Sequence, residues 1–95
     1  MRYANKIDDN QNDIVDALRK AGATVRIVSQ GNGLPDLLVG YRGVTILMEV
    51  KDGNKAPSAR KLTDAEDKFF RDWTGGLLAV VNSKEEALEL LTKVC

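Results

Sequence analysis

Ninety-five residues, 43% of them hydrophobic, suffice for one globular domain over residues 1–95, with a single small core that oligomerisation would enlarge. Fourteen basic and fourteen acidic residues give zero net charge, so no global field draws the chain to nucleic acid and a polyanion must be met by a local patch. Histidine is absent, which removes imidazole catalysis, and neither a membrane-spanning apolar run nor a signal-peptide pattern is present, so an intracellular, non-membrane protein is expected.

Ile7, Ile14, Val15, Leu18 and Ala21 recur at helical spacing and predict an amphipathic helix over 7–21, stopped at Gly22. Asp9, Asp13 and Asp16 fall on its polar side. Gln11 lies inside the apolar stripe, with Asp8 at its border as an i, i+3 neighbour. A polar side chain in such a stripe needs a partner, although Asp8 could simply complement the helix N-terminus. Residues 23–30, with Val25, Ile27 and Val28, read as a first strand. Gly31-Asn32-Gly33 then forms a flexible loop leading to Pro35-Asp36.

Residues 36–41 and 44–51 read as two strands of a tight hairpin with Arg42-Gly43 as its turn. Side chains alternate along a strand, so Val44, Ile46, Met48 and Val50 share one face, while Thr45, Leu47, Glu49 and Lys51 share the other. Asp36, at the start of the first strand, and Glu49, near the end of the second, are expected at the same end of the hairpin. Lys51, Lys55, Arg60 and Lys61 then concentrate positive charge in a loop opposed within it by Asp52 alone; this is either a phosphate-binding patch or a solvated loop.

Thr63-Asp64-Ala65-Glu66 has the spacing of a capping box and predicts a helix through Phe69, Phe70 and Trp73, ending at Gly75-Gly76. The helical spacing of these aromatics favours core packing or a dimer face over base stacking. Leu77–Val81 is continuously apolar, as suits a strand covered on both faces and parallel to its neighbour. Ser83-Lys84-Glu85-Glu86 repeats the capping pattern before a last helix carrying Ala87, Leu88, Leu90 and Leu91 inward. The expected order is α-β-β-β-α-β-α around a mixed sheet. Cys95 has no cysteine partner and reads as a free thiol.

Two acids and a lysine directed into a sheet are costly unless compensated, because an unpaired buried ion loses several kcal/mol of hydration. A divalent cation would compensate. Asp36 and Glu49 offer the hard oxygens that Mg²⁺ prefers, the Val50 carbonyl could add another, and Lys51 can orient a nucleophile and stabilise negative charge. Phosphodiester hydrolysis needs these groups and no histidine. A Glu-x-Lys triplet alone occurs readily by chance; its weight comes from Pro35-Asp36 leading the hairpin twelve residues upstream of Glu49.

With those positions in place, the chain resembles the VRR-NUC family of the PD-(D/E)xK nuclease superfamily. The resemblance runs through residues 8–11 (DDNQ), 33–40 (GLPDLLVG), 49–53 (EVKDG) and 57–63 (PSARKLT), and on to Val80-Val81. It covers almost the whole chain, in the manner of small stand-alone members found in phages and prophages. It implies a restriction-endonuclease-like αβββαβ core, with a central mixed sheet flanked by helices, plus a C-terminal helix. It also implies Mg²⁺- or Mn²⁺-dependent hydrolysis of DNA that is branched, as in Holliday junctions, by a homodimer in the cytoplasm of a bacterial host. Asp36 and Glu49 match the metal-binding acids, Lys51 matches the catalytic lysine, and Asp8 with Gln11 resembles the helix-borne polar pair. Asp8, where many relatives carry glutamate, is a further candidate metal ligand. Lys55, Arg60 and Lys61 are the candidate DNA contacts. The competing readings are a non-catalytic DNA-binding module on a nuclease-like scaffold, or a purely structural α/β interaction domain. Metal-dependent cleavage separates the enzyme from the module, and binding of neither metal nor DNA would leave the third.

Overall fold

The Arg42-Gly43 hairpin turn anchors the central sheet. Both residues have positive φ, +48° and +84°, as a two-residue turn of the type I′ class requires, and Tyr41 pairs directly with Val44 across it. A computed structural model describes the backbone of residues 3–94 and the side chains of residues 9–94. The elements are α1 (Tyr3–Lys20), β1 (Thr24–Ile27), β2 (Leu37–Tyr41), β3 (Val44–Val50), a 3₁₀ turn (Pro57–Arg60), α2 (Asp64–Asp72), β4 (Leu77–Val81) and α3 (Lys84–Lys93). The order is the one the sequence predicts.

The four strands lie side by side in chain order. The β1–β2 and β2–β3 pairs are antiparallel, whereas β3 and β4 are parallel. The last relationship requires a crossover, which the 3₁₀ turn and α2 provide. The sheet is therefore mixed, and the whole is the restriction-endonuclease-like αβββαβ arrangement with a C-terminal helix.

One sheet face carries the core. Val25, Leu37, Val39, Ile46, Met48 and Val81 pack with Ile14, Val15 and Leu18 of α1 and with Ala87 and Leu91 of α3. The alternation predicted for β3 holds on this face at Ile46 and Met48. Leu47 and Glu49 are buried too, so they are covered on the opposite face. Asp9, Asp13 and Asp16 are exposed, as the helical periodicity requires. The side chains of Asp8 and Ile7, and Cys95, lie outside the described residues.

Three expectations are corrected by the fold. The first strand ends at Ile27, although Val28 still donates its N–H to the Asp36 carbonyl (2.8 Å). Leu77–Val81 is not covered on both faces: Val81 is buried, Leu78, Ala79 and Val80 are half-buried, and Leu77 is exposed because β4 is an edge strand. Phe69, Phe70 and Trp73 are not core residues. Helix α2 buries none of its side chains, and Trp73, just beyond it, stacks on Phe69 with ring centroids 5.4 Å apart. Helical spacing correctly put Phe69 and Trp73 together, but the α2 aromatics are only partly covered.

Both predicted N-caps form, with a difference between them. Thr63 accepts from the Glu66 N–H while the Glu66 carboxylate accepts from the Thr63 N–H, the reciprocal capping box. At α3, Ser83 accepts from the Glu86 N–H, but the Glu86 carboxylate turns to the backbone and side-chain N–H groups of Asn82. That box is half made, and its acid secures the end of β4 instead.

Candidate active site

The antiparallel β2–β3 register places the beginning of β2 beside the end of β3. Asp36 immediately precedes β2, Glu49 is the penultimate residue of β3, and Lys51 follows its end. Asp36, Glu49, Val50, Lys51 and Lys55 line one cavity of about 540 Å³, with Gln11 of α1 contributing to the same lining. Arg60 and Lys61 lie outside that lining. Arg60 is half-buried, and its Nε has no hydrogen-bond partner among the described residues, while Lys61 is exposed.

Asp36 is joined to β3 directly. Its Oδ2 accepts the Val50 N–H at 2.9 Å, so the carboxylate takes the place of a ladder carbonyl and is fixed at the strand end. Glu49 is 3% exposed, and its Oε1 is buried without a hydrogen-bond partner among the described residues. Its Oε2 stands 3.5 Å from Lys51 Nζ. Burial, contact with the Glu66 carboxyl and the negative charge of Asp36 push the Glu49 carboxyl up to about 8, against a weaker opposing pull from Lys51. Near neutral pH Glu49 therefore holds its proton in the metal-free protein.

Lys51 is held more closely by a residue that the sequence reading treated only as a helix cap. Glu66 Oε1 accepts from Lys51 Nζ at 2.8 Å, and the same oxygen accepts from the Thr63 N–H at 2.9 Å. Burial works against the lysine charge, but the hydrogen bond and charge of Glu66, followed by those of Glu49, outweigh it and raise the Lys51 ammonium above its ordinary range. For Glu66, burial is likewise outweighed by bonds from Lys51 and from the Thr63 backbone, so its carboxyl lies below its ordinary value. Two carboxyl groups and an ammonium thus form one cluster, with the negative charge concentrated on Glu66.

Asn10 is the second residue whose part the sequence reading missed. Its Nδ2 donates to the Lys51 carbonyl at 2.7 Å and to the Asn82 carbonyl at 3.3 Å, tying α1 to the ends of β3 and β4. A signal was present: Asn10 stands three residues after Ile7 and four before Ile14, on the inward side of the helix. For Glu66 the only local signal was its capping box, which accounts for one of its contacts. The Gly31-Asn32-Gly33 loop also differs from expectation. Gly33 is buried at φ +84°, and a Cβ there would lie 2.2 Å from the Ala65 carbonyl oxygen, so the loop passes tightly under the start of α2.

Among the described residues no group of three or more His, Cys, Asp or Glu side chains has the arrangement of a metal-ligand set. The residues present nevertheless fit a hard divalent cation. An orphaned, buried carboxylate oxygen beside a second fixed carboxylate is the donor set that Mg²⁺ uses when solvent supplies its remaining ligands.

A solved structure described as a VRR_NUC domain matches this geometry over nearly its full extent. The superposition covers 92% of this chain and 95% of the other, with a TM-score of 0.62 and 33% sequence identity. The chain belongs to the VRR-NUC family. No protein-family model and no curated protein matches it. Within the VRR-NUC fold, the Asp36–Glu49–Lys51 cluster stands on a nuclease-like scaffold, at the strand ends where β2 and β3 meet the cavity.

Proposed function

We propose that this VRR-NUC chain is a Mg²⁺- or Mn²⁺-dependent deoxyribonuclease that hydrolyses phosphodiester bonds in branched DNA such as Holliday junctions, acting as a homodimer. The observation that carries the reading is Glu49: a buried carboxyl with one oxygen unpartnered, beside Asp36 and within 3.5 Å of an ammonium group, opening on a cavity. A structural ion pair would satisfy both oxygens, whereas a cation site needs one free. Asp36, Glu49 and the Val50 carbonyl would hold the cation, with Asp8 as a further candidate. When bound, it supplies Lewis-acid polarisation of the phosphoryl group and acidification of water.

The chain's own residues account for the rest. Asp36 is fixed by the Val50 N–H, so it enters the site preorganised. Glu49 would hold the cation as the carboxylate, with its proton lost to solvent. Lys51 lines the same cavity, where its ammonium would orient the attacking water and offset negative charge that develops on the phosphoryl oxygens. Gln11, on the helix wall of the cavity, donates or accepts a hydrogen bond to that water or to the substrate. Lys55, Arg60 and Lys61 meet the DNA backbone, which positions the substrate without reading its sequence.

The test is a Mg²⁺ and Mn²⁺ titration against a panel of four-way junctions, flaps and plain duplexes, with Asp36→Ala beside the wild type. Metal-dependent cleavage of branched DNA is expected, reduced at least about 100-fold by Asp36→Ala with the fold intact by circular dichroism. DNA binding without turnover at any metal concentration would instead make the chain a binding module.

A further inference from the structure

We propose that Glu66 is the positioning residue of Lys51, the strut by which helix α2 sets the ammonium group toward the reacting phosphate. The inference rests on the nuclease reading above. Lys51 has two acidic neighbours, and they are not equivalent. Glu49 stands at 3.5 Å and is itself a candidate metal ligand, so its carboxylate is committed elsewhere whenever a cation binds. Glu66 stands at 2.8 Å, outside the proposed ligand set, and keeps its hold throughout.

Glu66 is in turn immobilised from behind. The oxygen that receives the lysine also receives the Thr63 N–H, and the Glu66 N–H is bound by Thr63 Oγ1, so both ends of the residue are tied into the first turn of α2. The Gly33 loop supports that turn, because it packs without a side chain against the Ala65 carbonyl. Lys51 alone has a flexible four-carbon stem and would sample many rotamers; clamped to a capped helix end it presents one. Its side chain is 14% exposed, so solvent does little of this work.

The capping box makes the positioning role separable from the structural one. Glutamine fills the N3 position of a capping box as glutamate does, so Glu66→Gln retains the bond to the Thr63 N–H while the oxygen that faces Lys51 becomes a neutral amide oxygen, which holds an ammonium more weakly than a carboxylate does. Thr63→Ala does the reverse: it removes the hydroxyl cap and leaves the carboxylate. The experiment compares wild type, Glu66→Gln and Thr63→Ala in Mg²⁺-dependent cleavage of the branched DNA that the wild type cuts best, with melting temperatures measured on the same samples. Glu66→Gln is expected to lower kcat about 10- to 100-fold, with KM for DNA, the half-saturating Mg²⁺ and Tm close to wild type. Thr63→Ala is expected to lower Tm and leave kcat within about twofold of wild type.

Wild-type kcat in Glu66→Gln would overturn the proposal and leave the nuclease reading standing. So would a large rise in half-saturating Mg²⁺ with kcat unchanged, which would make Glu66 a ligand. Parallel losses of kcat in the two variants would reduce Glu66 to a helix cap. Absence of metal-dependent cleavage by the wild type would overturn the nuclease reading itself, and this proposal with it.

Discussion

Glu49 concentrates the conflict between stability and function in one side chain. Its carboxyl, ordinarily near 4.5, is raised to about 8 in the metal-free protein, by burial first and then by its acidic neighbours Glu66 and Asp36. Below pH 4.5 the folded and unfolded chains both carry this proton. Between 4.5 and about 8 only the folded state keeps it, so the unfolded state binds fewer protons and the free energy of unfolding falls as pH rises. Above 8 the folded chain bears an ionised, buried carboxylate. Lys51, raised from 10.5, and Glu66, lowered from 4.5, titrate outside this window and leave the slope to Glu49. Urea denaturation in EDTA at pH 5, 6, 7 and 8 should therefore show wild-type stability declining, by at most about 1.4 kcal/mol per unit. Glu49→Gln, which stays neutral throughout, should flatten the profile and exceed wild type at pH 8. A wild-type stability that climbs over the same range would refute the raised value. The same proton makes any cation compete with it, so metal binding through Glu49 should strengthen as pH rises.

At the scale of elements, the decisive contact is between the loop ahead of β2 and the start of α2. Gly33 occupies positive φ and lies where even a methyl group would strike the Ala65 carbonyl, a backbone atom that cannot rotate aside. Gly33→Ala should cost about 1–3 kcal/mol through backbone strain alone, with the clash added to it. It should also push the first turn of α2 away from the cavity, carrying Glu66 off Lys51. Urea unfolding measures the first effect. Faster hydrogen exchange at the amides of the first α2 turn measures the second, and wild-type exchange there would rule out the coupling of loop to helix. This contact also marks where the sequence stops being readable. The hairpin, its two acids and its lysine were legible because strand alternation and a two-residue turn are local rules, and Asp36 and Glu49 needed nothing further to share an end. Glu66 was invisible in its second role because its lysine lies fifteen residues away across an irregular segment. Asn10 reaches 41 residues to the Lys51 carbonyl and was equally hidden, although its place on the helix betrayed that it needed a partner. The aromatics of α2 failed differently: periodicity says which residues share a side of a helix, and nothing about how fully that side is covered.

For the whole molecule, the balance of 14 positive and 14 negative groups decides how DNA can be held. With no net field, the proposed contacts Lys55, Arg60 and Lys61 would supply the attraction, and each phosphate neutralised by such a group releases counterions with a slope of about −0.9 in log K against log salt. One copy can therefore supply a slope of about −2.7, and a homodimer engaging a junction through both copies about −5.4. For the proposed homodimer, the candidate surface is α2 and the start of β4. There Trp73 and Leu77 are 39% and 42% exposed, and no side chain of α2 is fully buried. The two expectations are linked, since Leu77→Glu places a charge where a partner would pack. Under the proposed dimer, it should return the mass from about twice 10.4 kDa to 10.4 kDa and, at the same time, halve the salt slope for junction binding. Lys55→Ala with Lys61→Ala should flatten the slope while leaving the mass that of the wild type. Sedimentation and salt-titrated binding on the same three proteins check both. A wild-type monomer whose slope is already near −2.7 would mean that one site, not two, meets the branched substrate.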